Sequence, residues 1–284
     1  MAKGKITRKQ LKEDEVRTFG MKLYSFIREN TRLCLIVLAA LVVVYISVKA
    51  YNYRQDVVLR KSNQLLTWTI NIFENGLMET DQTKREAVLN QAISYAEQLV
   101  DDFPKSKAAR QAQYLQGNAY YFMNDFDRAI SSFQHYIQTA QTNEDRAKGY
   151  VALGYSFEDR FFYNEQDQSI LRQAEKAYDQ AIEFGKETYI EYQALLCKAR
   201  LLELRYKNAE AMEIYEKIIA DREQLELKMA KTSSVQGSGT DEPTKRPQRS
   251  QAEMLSQQIK MLMDLFSFAK TAELNLDRLK GEKF

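Results

Sequence analysis

Side chains able to do covalent or acid-base chemistry are few and scattered. The chain has one histidine, His135, and two cysteines, Cys34 and Cys197. A metal centre needs several His, Cys or carboxylate ligands at short helical or loop spacing, and His135 has no such neighbours. A nucleophile needs a base and a group that orients the base, and no segment supplies that set. There is no HExxH, no CxxC and no phosphate-cradling glycine loop. The acids cluster as Glu13-Asp14-Glu15, Asp101-Asp102 and Asp125/Asp127. The first group lies among cations, and the others fall at helix ends and turns, where such residues satisfy backbone N–H groups. Cys34 lies in an apolar run, and Cys197 lies in ALLCKARLL, a setting that predicts a buried, inert thiol. The expectation is a protein that is not an enzyme, with no catalytic residues, no metal and no cofactor. Its specificity must then come from surfaces.

The elements that would carry such surfaces begin with Leu33 to Val48, LCLIVLAALVVVYISV, an uncharged run between Arg32 and Lys49. As a helix it spans roughly 24 Å, and long flanking cations reaching to the headgroups can make up the rest of a bilayer core of about 30 Å. Tyr45, Tyr51 and Tyr53 lie at its outgoing end, where aromatic rings favour the interface. Competing readings are a buried core helix and a cleaved leader ending near Val48-Lys49-Ala50. Uniform apolarity and a 32-residue lead favour an uncleaved transmembrane helix over 33–50. Residues 1–51 hold ten Lys or Arg against four Asp or Glu, and the remainder holds 31 against 35. The basic tail 1–32 is therefore expected on the cytoplasmic side, either disordered or with Asp14–Arg28 as an amphipathic helix. The mildly acidic remainder is a poor nucleic-acid ligand.

Scarce Gly and Pro, ten and three, with abundant Ala, Leu, Glu, Lys, Gln and Arg, predict an all-α protein. Residues 51–75 read as helix, stopped by Asn75-Gly76. The stretch Ala112 to Ile137 then pairs a small residue, Gly117, with Tyr120, an Asn124-Asp125 turn, Phe126, Ala129 and Phe133. Small residues let two antiparallel helices approach, and the aromatics fill the wedge between them. This spacing resembles the tetratricopeptide repeat (TPR). A second unit has Gly154, Phe157, Ala174, Tyr178 and Ala181, with eight extra residues around Arg160 to Gln168. A third has Ala199, Leu202, Ala211, Tyr215 and Ile218. A degenerate unit precedes them, with Ala92, Ala96 and Leu99 and with Pro104 where such repeats end. The alanines at 92, 129, 174 and 211 are 37, 45 and 37 residues apart.

That resemblance implies a right-handed TPR-like helical-hairpin solenoid over 51–224 whose first helices line a concave groove. By position the groove residues are Gln111, Tyr114, Asn118 and Tyr121 from the first full unit. Lys148, Tyr155 and Glu158 come from the next, and Gln193, Leu196 and Arg200 from the third. Tyrosine suits such a surface, being rigid, apolar and polar at once. Packing of these rings against the insert or the last helix is the competing reading. The carboxylate clamp of chaperone-binding repeats is excluded, because Tyr114 stands where its Lys would be.

Residues 225–250 are expected as a flexible linker, ending in the polar stretch KTSSVQGSGTDEPTKRPQRS. Residues 251–284 read as a C-terminal capping helix with Leu255, Ile259, Leu262, Phe266, Ala269, Leu276 and Leu279 as its stripe. Met261, Met263, Leu265 and Phe268 widen that stripe beyond what a cap needs. The arrangement resembles bacterial single-span, membrane-anchored TPR proteins, a family that includes the ancillary subunit of the Sec translocon. The resemblance implies an inner-membrane protein with a cytoplasmic N-terminus and a periplasmic groove for envelope or translocating client proteins. The lipid bilayer would contact it through Leu33 to Val48. The alternative is a scaffold self-associating into a homo-oligomer through the last helix and the span.

Overall fold

A computed structural model describes Met21, Tyr24, Phe26 and residues 28–165, 167–236 and 249–281. The expected amphipathic helix Asp14–Arg28 lies almost wholly outside these residues. All regular structure among the described residues is helical. The helices are α1 (Thr31–Met78), α2 (Gln82–Asp102), α3 (Lys107–Phe122), α4 (Phe126–Thr139) and α5 (Asn143–Arg160). A π-helical turn, Phe161–Glu165, follows, then α6 (Gln168–Phe184), α7 (Tyr189–Leu204), α8 (Asn208–Gln236) and α9 (Arg249–Gly281).

The chain divides into two compact units, Met1–Lys61 and Ser62–Phe284. In the first, the helix is long and apolar enough to cross a membrane, and none of its most apolar stretch is buried. Ile36, Val42 and Ile46 are 70%, 49% and 59% exposed, so apolar side chains face outward all round rather than along one core-facing stripe.

In the second unit, sequence chemistry sets each helix start. Asp81, Ser106, Asp125, Thr142, Asp167 and Thr188 each accept a hydrogen bond from a backbone N–H in the first turn of the following helix. Short turns then make successive helices antiparallel, giving TPR-like hairpins: α3 with α4, α5 with α6, and α7 with α8. Small residues on each first helix admit an aromatic from the second. A Cβ on Gly117 would lie 2.6 Å from the Phe133 ring, and one on Gly154 would lie 2.3 Å from the Tyr178 ring. In the third hairpin Ala199 and Tyr215 are both fully buried in one cluster.

Several expectations are corrected. Gly76 does not stop the first helix, which runs to Met78. It is a close-approach site instead, where a Cβ would lie 2.8 Å from Leu89. Helix α8 continues to Gln236 and α9 begins at Arg249, so helix enters both ends of the expected linker. Residues of good helix propensity carry α8 onward past its packed part. The insert at Arg160 to Gln168 lengthens the first helix of its hairpin through the π-helical turn. Among the described residues the buried positions on α9 are Leu265, Ala269, Ala272, Leu276 and Leu279, packed against α7 and α8. Phe266, expected in that stripe, is 44% exposed, and Leu265, counted as excess, is 1% exposed. The buried set steps by four and three residues, and Leu265 rather than Phe266 keeps that register.

Candidate functional site

The first helices of the three full hairpins, α3, α5 and α7, stand side by side and open a cavity of about 930 Å³. Gln111, Tyr114, Asn118 and Tyr121 of α3 line it with Lys148 and Tyr155 of α5 and Gln193 of α7. Tyr155 and Gln193 also border a second cavity of about 280 Å³, with Leu196, Cys197 and Arg200 of α7 and Phe268 and Asn275 of α9. Nine of the ten residues singled out from spacing thus reach one of two adjoining cavities.

Glu158 does not. It is 4% exposed and turned inward. Tyr178 Oη donates to its Oε2 at 2.9 Å, and Arg200 Nη2 donates to the same oxygen at 3.0 Å. A buried carboxylate needs such partners, and they hold it out of the groove. The guanidinium of Arg200 lies 5.6 Å above the Tyr155 ring, which stands edge-on to Tyr178. Desolvation opposes the charge on Arg200, but Glu158 outweighs it and holds the guanidinium pKa above its ordinary value.

The groove floor is aromatic. Tyr114 packs at 5.6 Å against Phe133 and 5.1 Å against Tyr136, centroid to centroid. Burial raises the phenol pKa of Tyr114, Tyr136 and Tyr155, and Asp145 and Cys197 reinforce the rise at Tyr136 and Tyr155. The hydroxyl of Tyr121 donates to Asp159 and is likewise shifted upward, first by burial. All four stay protonated near neutral pH, with the Tyr121 hydroxyl committed to Asp159 and the Tyr136 hydroxyl bonded to Asp145, beside apolar ring faces. Lys148 supplies a cation at the rim, paired with Glu144 at 2.8 Å.

Other lining residues escaped the sequence reading. Phe133 and Tyr136 come from the second helix α4, and Ile70 comes from the degenerate first unit. Tyr189 and Asp145 were legible, since they stand one turn before Gln193 and Lys148 on the same helical faces. Cys197 is buried, with its sulfur 2.9 Å from Tyr155 Oη, and burial pushes its thiol pKa up to about 11. His135 is exposed beside Glu97 and Asp101 at a shallow cavity away from the groove. Among the described residues no three His, Cys, Asp or Glu side chains are placed to hold a metal ion.

No known family profile matches the chain, and no curated protein matches it. Among solved structures it is similar to a putative kinesin light chain of Podosopora anserina with nearly identical TPR-like repeats. The identity is 13% and the TM-score 0.42, over 77% of this chain and 97% of that one. A single-substitution variant of the same protein gives 14% and 0.44, over 78% and 93%.

Proposed function

We propose that this chain is a non-enzymatic protein–protein interaction scaffold, anchored in a membrane by Leu33–Val48, whose groove accepts a segment of a client protein. The observation that carries this reading is the 930 Å³ cavity built from the first helices of successive hairpins, with tyrosine rings and hydroxyls on its walls. Rigid aromatic anchors with satisfied polar rims are the usual composition of a recognition surface. The charge bias across the span favours a cytoplasmic N-terminus and a periplasmic groove at a bacterial inner membrane. Envelope or translocating proteins, including those handled at the Sec translocon, are the client class of the family it resembles. Helix α9 serves as the cap, since its buried residues from Leu265 to Leu279 pack on α7 and α8.

A photo-crosslinker at Tyr155 of the full chain in its membrane tests this. The expected result is a discrete adduct with a client protein, absent when the probe replaces His135 on the outer face. Recovery of monomer only, or equal adducts from both sites, overturns it. Reporters fused after Phe284 and before Lys3 test orientation, and a cytoplasmic C-terminus overturns the periplasmic assignment.

A further inference from the structure

One edge of the hairpin array is aromatic and exposed. The first helices α3, α5 and α7 all end there, as does α1. At that edge Met78, Phe122, Phe162, Tyr163, Leu204 and Tyr206 are 79%, 46%, 52%, 66%, 41% and 94% exposed. The turns on the other edge, around 103–106, 140–142 and 185–188, carry no large apolar side chain with comparable exposure among the described residues. Buried rings back the exposed ones: Phe73 lies 6.1 Å from Phe122, and Phe126 lies 5.8 Å from Tyr121 and 5.4 Å from Tyr163. The insert supplies the centre of this edge through the π-helical turn, a geometry concentrated at functional sites.

Tyr206 adds a second observation. It has φ 58°, in the left-handed region, where a side chain with a Cβ crowds the following carbonyl oxygen. The equivalent turn of the first hairpin uses Asn124, φ 59°, a residue suited to that conformation. The two turns are otherwise the same. Asn124 N–H donates to Tyr121 O and Tyr206 N–H to Glu203 O, both at 2.9 Å. A tyrosine almost wholly in water, in a backbone state asparagine fills better, has no role in this chain's own packing.

The occupant follows from the charges that flank these turns. After Asn124 comes Asp125, with Arg128 three residues on; after Tyr206 comes Lys207, with Glu210 three residues on. Equivalent positions therefore carry opposite charge. Each pair is closed within the chain, at 2.5 Å for Arg128–Asp125 and 2.9 Å for Lys207–Glu210, and Arg160 closes on Asp127 at 3.1 Å. The edge thus lacks the massed cations that an anionic lipid surface or a nucleic acid selects. A second copy turned end for end would set Asp125 against Lys207 and Arg128 against Glu210 at both ends, with Phe162 and Tyr163 of the middle hairpin meeting at the axis. That is an isologous two-fold contact.

We propose that the edge carrying Phe122, Phe162, Tyr163 and Tyr206 is a two-fold interface with a second copy of this chain, its register set by reversed charge pairs at its two ends. The surface differs from the client groove, and the proposal stands without that reading. The test is oxidative cross-linking of the full chain in membranes, in a Cys34→Ala background. Tyr163→Cys is expected to give a covalent dimer. Tyr206→Cys mixed with differently tagged Asn124→Cys is expected to give a hetero-linked dimer, and Tyr206→Cys alone none. Asp125→Lys should lower the Tyr163→Cys dimer yield several-fold, and adding Lys207→Asp should restore it. No dimer from Tyr163→Cys, equal dimer from Lys186→Cys on the opposite edge, or failure of the charge swap overturns the proposal. So does a photoprobe at Tyr163 that labels lipid in place of a second copy.

Discussion

The ring of Tyr178 occupies the space where a side chain on Gly154 would begin, with its Cε1 only 2.3 Å from an ideal Cβ. The second hairpin therefore closes only around a glycine. Tyr178 is fully buried and cannot retreat toward solvent.

Gly154→Ala is therefore expected to destabilise the array, although alanine favours helix over glycine by about 1 kcal/mol. Overpacking a closed core costs about 1–3 kcal/mol, and here the clash is with a ring that has no free volume beside it. Gly281→Ala is the control, with nothing within 4 Å of its added Cβ, and should be neutral or slightly stabilising. Thermal unfolding should shift to lower temperature for Gly154→Ala and stay level or rise slightly for Gly281→Ala. A stable Gly154→Ala would mean that the two helices stand further apart than this contact requires.

The corrected register of α9 gives a second test. Leu265 and Leu276 are 1% and 7% exposed, and Leu274 is 64% exposed. Truncating a buried leucine to alanine costs about 2–5 kcal/mol. Leu265→Ala and Leu276→Ala should each lose stability of that order in denaturant titration, and Leu274→Ala less than about 0.5 kcal/mol. Equal effects at Leu274 would mean that the opposite face of α9 is also packed.

Alkaline pH should weaken the fold. Burial raises the Cys197 thiol to about 11 from an ordinary 9.0, and Tyr192 to about 12 from 10.0. A raised folded pKa means that above pH 9 the unfolded chain loses the proton first. Stability is then complete below about pH 9 and falls as pH rises toward 11, by at most about 1.4 kcal/mol per pH unit for one group. Cys197→Ala should flatten the part of the stability profile between those values. A profile identical to wild type would place the thiol in contact with water.

The hairpins were legible because their determinants are local and periodic. Gly117 with Phe133, and Ala199 with Tyr215, each stand 16 residues apart, the same small-to-aromatic spacing in two units of one array. The same periodicity placed Tyr114, Asn118 and Tyr121 on one face of α3. Glu158 was misread because spacing gives the face but not the partner. Its inward turn depends on Tyr178, which the insert carries further along the chain, and on Arg200 of the next hairpin. Phe266 and Leu265 are adjacent in sequence, and only the surface offered by α7 and α8 chooses between them. Gly76 shows the remaining ambiguity, since a glycine stops one helix and admits a neighbour into another.

Two of the hairpins share a pairing that yields the last prediction. The residue four after the small one meets the aromatic of the second helix, Glu158 with Tyr178 and Glu203 with Tyr215, while the first hairpin carries Tyr121 and Phe133 at these two positions. Tyr178 and Tyr215 each donate a hydroxyl to their glutamate, at 2.9 and 2.6 Å. In the first hairpin the position of the glutamate is Tyr121, which gives its own hydroxyl to Asp159, and the second helix carries Phe133 in place of a tyrosine. A buried hydroxyl without an acceptor costs about 1–3 kcal/mol, and a hydrogen bond to a charged group contributes about 1.5–3 kcal/mol. Tyr178→Phe and Phe133→Tyr should therefore both destabilise, by opposite routes. Tyr121→Glu together with Phe133→Tyr transplants the pair from the second hairpin, and a double-mutant cycle should show favourable coupling of about 1 kcal/mol or more. Additive losses would mean that the carboxylates serve the next helix, through Arg200 and Arg278, rather than the aromatic beside them.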